Sequence, residues 1–399
     1  MKTSDLSRRF QHLVSVPTAP FREHWVNEAL DELLARIPGV RVAIDKFGNR
    51  HARLTRGKTR GLPLVFVAHT DHPGFVFPLS GPEYYRTNAG TFISEALFEG
   101  RVRDEYFVHG AVRLFRDRDD RGIPGRILSA TPVSLETDNR IVKIETVDNP
   151  AGATLAMWDV PVYFESQTAY HGRVCDDLMG CATMVEALSR LAEMDAPVDV
   201  TMLFTRAEEA GFCGTLCLLN DEQSRRMLDL HSLFVSVEIS GETPENRLDC
   251  GAIIRVGDQS TIFDGEMANL LWSAAQGANV SARRALMDRG TCEATPISLA
   301  GLRVGGICSP VRNYHNMNTE TGRVDAEMVS ISDCEALVEL VVEVTKFVGA
   351  GSQPNVRITS EFDLFLSKGF QQLPEPAQGT EEQSNKSPNG HFVFQSVSH

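Results

Sequence analysis

A chain of 399 residues exceeds one ordinary compact domain, and 42% hydrophobic with 23% charged residues is the balance of a globular protein with a real core. A formal net charge of -14 argues against nucleic acid as a partner, because displacing counterions from phosphates needs a basic face. The arginines of residues 113–121 alternate with Asp117, Asp119 and Asp120 and read as a solvated turn. No stretch approaches the ~20 apolar residues of a membrane span, so no membrane is expected. The opening MKTSDLSRRFQHLVSV lacks an apolar run of signal-peptide length, and the eight cysteines are scattered. Cys213 and Cys217 make a C-x3-C without a second pair, so reduced thiols in a cytoplasmic protein are expected.

In chain order, Val26, Leu30, Leu33, Leu34 and Ile37 mark one buried face of a helix. VRVAIDKFGNRHARLTRG alternates apolar and polar residues and breaks at Gly48 and Asn49, as a hairpin does. LPLVFVAHT (62–70) is nearly all apolar, the mark of a strand buried on both faces. From about 74 to 165 short β-type runs (FVHGAVRLF, GRILSA, IVKIETV, VPVYFE) predict a small all-β domain. Cys181, Met184, Val185, Leu188 and Leu191 then predict an amphipathic helix. PVDVTMLFT and LFVSVEI read as buried strands. Asp264 is placed to cap a helix running through Ala275, and a long closing helix is expected over 326–347.

Alternating strands and helices imply an α/β/α catalytic domain with a mainly parallel central sheet, residues 1–75 and 166–350. The all-β segment, 76–165, interrupts it. Residues 351–399 contain LPEPAQGTEEQSNKSPNG, rich in Pro, Gln, Ser, Asn and Glu, and are expected to be disordered.

Histidines and carboxylates concentrate at the ends of the apolar runs, where open α/β sheets build ligand sites. His69 ends VFVAH, and Asp71 two residues on could orient it, since a metal-bound imidazole usually gives its other N–H to a carboxylate. Asp176 and Asp177 precede the amphipathic helix, where either could simply cap. Glu208 and Glu209 follow MLFT, and neighbouring side chains diverge, so one can hold a metal while the other faces a water. Glu238 closes FVSVE, and His315 follows RVGGICSP. Each residue alone reads as a cap, a surface acid or a structural histidine. Together they offer N and O ligands with a nearby base, as hydrolytic metal sites need. Two divalent ions carry four positive charges, which Asp176, Glu209, Glu238 and one bridging hydroxide cancel. A donor set of carboxylates and imidazoles without thiolates suits Zn, with Mn or Co as options.

With those residues in hand, the chain resembles the tetrahedral or glutamyl aminopeptidases, a family of co-catalytic dimetal exopeptidases. The likeness is carried, in order, by DKFGN (45–49), AHTD (68–71), DDLMG (176–180), EEAG (208–211), SVEISGETP, GTCEA (290–294) and YHN. It implies that His69, Asp176 and Glu238 hold one metal and that Asp176, Glu209 and His315 hold the other. It also implies Glu208 as the general base. Peptides are the implied substrates, the β insertion the dimerisation element, and dimers, up to dodecamers, the assembly. The chain departs from the family pattern at His72, Leu178, Glu238 and Asn316. A related dimetal hydrolase of the same fold, aspartyl aminopeptidase-like or an N-acyl amino acid deacylase, is the nearest alternative. A non-catalytic assembly subunit would be expected to have lost Glu208 or a ligand, and this chain keeps them.

Overall fold

The computed structural model describes residues 5–134 and 137–354. Its larger sheet has eleven strands, and its centre is four parallel ones: Val198–Thr205, Leu64–His69, Leu233–Gly241 and Val304–Arg312. Along Leu64–His69 every residue is buried. Phe66 and Ala68 enter one core with the helices Leu178–Glu193 and Ile331–Gly349, while Val65 and Val67 enter another with Leu218 and Ile297. Alternate side chains therefore meet apolar layers on opposite faces, which explains the unbroken apolar run.

The sheet is mixed rather than mainly parallel. The hairpin of Arg41–Ile44 and Arg50–Arg56 adds antiparallel to one side of the central four. Glu327–Ser330, Ala169–Gly172 and Tyr163–Glu165 add antiparallel to the other. Hairpins and short returns can build only antiparallel neighbours, whereas the parallel strands need helical crossovers. Two boundaries shift for the same reason. Tyr163–Glu165 joins the larger sheet because it pairs with Ala169–Gly172. The closing helix starts at Ile331, not 326, because Glu327–Ser330 is drawn into the sheet and the Ser330 hydroxyl then accepts the N–H of Asp333 as a cap. Asp264 caps Gly265–Gly277 by accepting from Glu266 and Met267, and His24–Leu34 buries Val26, Leu30 and Leu34.

Between residues 74 and 158 the chain forms a second, seven-stranded antiparallel sheet. Its core is an aromatic cluster of Phe75, Phe98, Phe107 and Trp158, with ring centroids 4.9 Å apart for Phe75–Phe98 and 5.0 Å for Phe75–Trp158. Phe115, Leu155 and Met157 reach from this sheet into the main core, and the two sheets make one compact unit. Among the described residues no helix is long and apolar enough to cross a membrane. The expectation for 351–399 falls, from 355 onward, outside the described residues.

Candidate metal centre

The site lies at the carboxyl ends of the four parallel strands, because their register is shared. Thr205 sits opposite His69, so Glu208 and Glu209 emerge beside it. Glu238 lies opposite Cys308, and the turn after Arg312 leads to His315. Asp176 comes from the loop between Ala169–Gly172 and the helix Leu178–Glu193. All five ligand candidates and Glu208 therefore converge.

Asp176 is the centre of the cluster. Its Oδ1 stands 3.3 Å from His69 Nε2 and its Oδ2 3.5 Å from His315 Nε2. His69 Nε2 is also 3.9 Å from Glu238 Oε2 and 4.0 Å from Glu208 Oε2. His315 Nε2 is 3.0 Å from Glu209 Oε1. Asp176 Oδ1, Glu209 Oε1 and His315 Nε2 are buried yet make no hydrogen bond. They crowd one another as ion pairs rather than as aligned hydrogen bonds, which is the geometry of ligands aimed at a cation between them. Groups able to hold a metal are Asp176, Glu209 and His315; His69, Glu208 and Glu209; and His69, Asp177 and Glu238. Asp177 is the one not expected, but its Oδ2 already accepts the backbone N–H of His69 at 3.3 Å. The peptide bond between Asp176 and Asp177 is cis.

Charge agrees with geometry. Burial drives the Glu208 carboxyl well above its ordinary range, and Glu209 and Glu238 reinforce the shift against His69. Burial likewise takes Glu238 up to about 8, despite the opposing pull of His69. Burial pushes Asp176 the same way, yet the two imidazoles together hold it low. Both imidazoles are held well above their usual value by the surrounding acids, against their own burial. Too many buried carboxylates for two histidines is a donor set that divalent cations would neutralise.

The supports of the cluster are as informative as its members. His315 Nδ1 lies 2.8 Å from the carbonyl of Arg101 and so donates to it, which makes Nε2 the lone-pair nitrogen of the neutral ring that a cation would bind. Asp71 Oδ1 is 3.5 Å from His69 Nδ1, and its two oxygens accept the N–H groups of Glu208 and Glu209 at 3.0 Å each. Asp71 thus grips the loop bearing both glutamates as well as facing the histidine. Two of the four departures prove to be partners. His72 Nδ1 meets the carbonyl of Asp176 at 2.7 Å and its Nε2 meets Asn316 Oδ1 at 3.0 Å. The pair braces the Asp176 loop against the His315 turn. Leu178 is fully buried in the main core, where an arginine would bury a charge.

Sequence reasoning missed Glu327. Its Oε2 accepts the N–H groups of Cys175, at 2.6 Å, and Asp176, at 3.0 Å, while its Oε1 accepts that of His315 at 2.7 Å. One fully buried carboxylate therefore positions the backbone of two candidate ligands. Its signal was an acid at the head of the apolar run that follows, obscured by reading that stretch as helix. Glu327→Gln is expected to weaken divalent-metal affinity about 10–100-fold, the usual effect of removing a group that orients a ligand. Equilibrium metal titration checks it, and an unchanged affinity would contradict that role.

A cleft of about 750 Å³ opens beside Glu238, lined also by Arg255, Arg289, Arg312 and Tyr314. It is large enough for the end of a peptide.

The fold resembles that of several solved aminopeptidases. A TET aminopeptidase from a marine sediment archaeon of the Thaumarchaeota matches with a TM-score of 0.67 at 18% identity, over 86% of this chain and 96% of that one. An aminopeptidase from the archaeon Desulfurococcus kamchatkensis matches at 0.66 and 20%, over 87% and 95%. A TET peptidase from Pyrococcus horikoshii, which can assemble into a tetrahedron or a large octahedral shell, matches at 0.66 and 18%, over 85% and 99%. The fold class is thus mixed α/β. Residues 138–340 match the family model of the M42 glutamyl aminopeptidases, and the chain belongs to that metal-dependent family.

Proposed function

We propose that the protein removes N-terminal residues from short peptides, using two divalent cations held by His69, Asp176 and Glu238 on one side and by Asp176, Glu209 and His315 on the other. The observation that carries this reading is Asp176, whose two oxygens face two different histidines amid buried, unbonded donor atoms. The cations would polarise the scissile carbonyl and make a water acidic at neutral pH. The remaining work belongs to the chain. Glu208 takes a proton from that water and returns it to the leaving amine. Asp71 holds the Glu208 loop and orients His69. The cleft beside Glu238 receives the peptide end. Zn suits the oxygen and nitrogen donors, with Co or Mn as substitutes.

The test is a short peptide offered beside its N-acetylated twin, with products read by mass spectrometry. Stepwise loss of N-terminal residues from the free-amine peptide alone is expected. Turnover of the acylated compound alone would overturn the reading in favour of a deacylase. Stripping metal with a chelator is expected to abolish hydrolysis and to lower the melting temperature, because an ion bound only by the folded state at a hundredfold over its dissociation constant stabilises by about 2.7 kcal/mol. Zn, Co or Mn should restore both, and activity that survives complete stripping would contradict the mechanism.

The proposed division of labour is a catalytic body built on the larger sheet and an assembly element formed by the second sheet, residues 74–158. Likeness to the Pyrococcus horikoshii peptidase that can assemble into a tetrahedron or a large octahedral shell supports association between copies of this chain into dimers and larger shells. Eight free cysteines support a cytoplasmic location.

A further inference from the structure

The loop that carries Glu208 is held from a second direction by a residue outside every motif above. Glu23, at the start of the helix His24–Leu34, is completely buried. Its Oε1 accepts the N–H of Ala207 at 3.0 Å and that of Phe21 at 2.7 Å. Its Oε2 accepts Arg206 Nε at 2.7 Å and pairs with Arg206 Nη2 at 2.7 Å. Arg206 is in turn tied down elsewhere. Its Nη1 donates to the carbonyl of Phe47 at 2.8 Å, and its backbone N–H donates to Asn49 Oδ1 at 3.2 Å. Asn49 is fixed by Asp45 Oδ2, 2.8 Å away, and by the carbonyl of Gly214 at 3.1 Å.

Three consecutive N–H groups, those of Ala207, Glu208 and Glu209, thus end on two buried carboxylates, Glu23 for the first and Asp71 for the others. The clamp matters because Ala207 has φ of 51°, a left-handed conformation that an alanine adopts only when its surroundings impose it. That conformation sets the direction in which Glu208 leaves the strand. Gly214 shows how tight the contact is, since a Cβ there would lie 2.5 Å from the carbonyl oxygen of Arg206.

We infer that Glu23 is a positioning residue for the reaction, which acts through Arg206 and the Ala207 peptide to aim the Glu208 carboxylate. The inference rests on the proposal that Glu208 is the general base. Glu23→Gln keeps the volume but turns an amide toward the Arg206 guanidinium, so the charge-assisted bonds weaken and Ala207 is free to relax. Lowered kcat, by about tenfold or more, is expected with KM within twofold, because a misdirected base impairs proton transfer rather than peptide binding. Two metal ions per chain and a melting temperature near that of the parent should be kept. Arg206→Lys, which loses the planar fork at a partly buried position, should act in the same direction. The double variant should lose little more than Glu23→Gln alone, as parts of one unit do.

A kcat within twofold of the parent in either folded variant would overturn the inference. So would a loss that follows loss of bound metal, or two losses that multiply in the double variant. Glu208→Gln, assayed alongside, keeps the two ideas apart. An inert Glu208→Gln beside a fully active Glu23→Gln overturns the clamp alone, whereas an active Glu208→Gln overturns the base assignment from which the clamp takes its purpose.

Discussion

Glu208→Gln is expected to lower turnover at least roughly a hundredfold, the lower scale of general-base catalysis, while the protein stays folded and keeps its metals. The amide has the same shape but cannot accept a proton. The backbone of residue 208 remains held by Asp71, so the loop should not move. The substitution also removes one acid from a cluster of acids, among them Glu209 and Glu238, whose repulsion burial intensifies. Stability should therefore be unchanged or slightly raised. Steady-state kinetics with metal analysis decides the matter. Near-parental kcat would move the base elsewhere, and a loss of metal together with activity would make Glu208 a ligand.

The second large effect is expected from Asp176→Asn. The two oxygens of Asp176 face His69 and His315 separately, so one substitution touches both halves of the site. A neutral amide would weaken both ions together. Several kcal/mol of charge stabilisation would be lost with them, and at 1.36 kcal/mol per tenfold the cost is on the order of a thousandfold in rate. The comparison that gives this meaning is Glu238→Gln, whose side chain faces His69 and not His315. It should weaken one ion and spare the other. If Asp176→Asn bound one ion normally, the shared-carboxylate arrangement would be wrong.

Much of this site could be read from sequence because strand ends announce themselves. His69 and Glu238 each close an apolar run, and the shared register of parallel strands brings such ends to one edge. Asp176 and His315 carried no such mark, since a carboxylate before a helix and a histidine in a turn have commoner explanations. Only their order among the other motifs pointed to them. The supports were harder to see. Glu23, Asn316 and Glu327 act through backbone N–H and carbonyl groups, with partners up to 184 residues away in the case of Glu23 and Ala207. No local pattern records such a bond. His72 and Asn316 looked like two separate departures, and the fold makes them hydrogen-bond partners across a separation of 244 positions.

In the fold, the periodic helices and the buried strands were legible, as at Leu64–His69. The direction of neighbouring strands was not, because hydrophobic alternation says which face is buried but not which way a neighbour runs. Alternating strands and helices alone led to the expectation of a mainly parallel sheet, and Glu327–Ser330 was taken for helix. Four residues that end against a capping serine are too few for periodicity to separate strand from helix.

The most direct measurement is anomalous diffraction from crystals of the metal-loaded protein, collected at the absorption edge of the bound metal. Two peaks are predicted, one within ligand distance of His69, Asp176 and Glu238, the other within ligand distance of Asp176, Glu209 and His315. A single peak, or peaks that do not touch Asp176, would contradict the account.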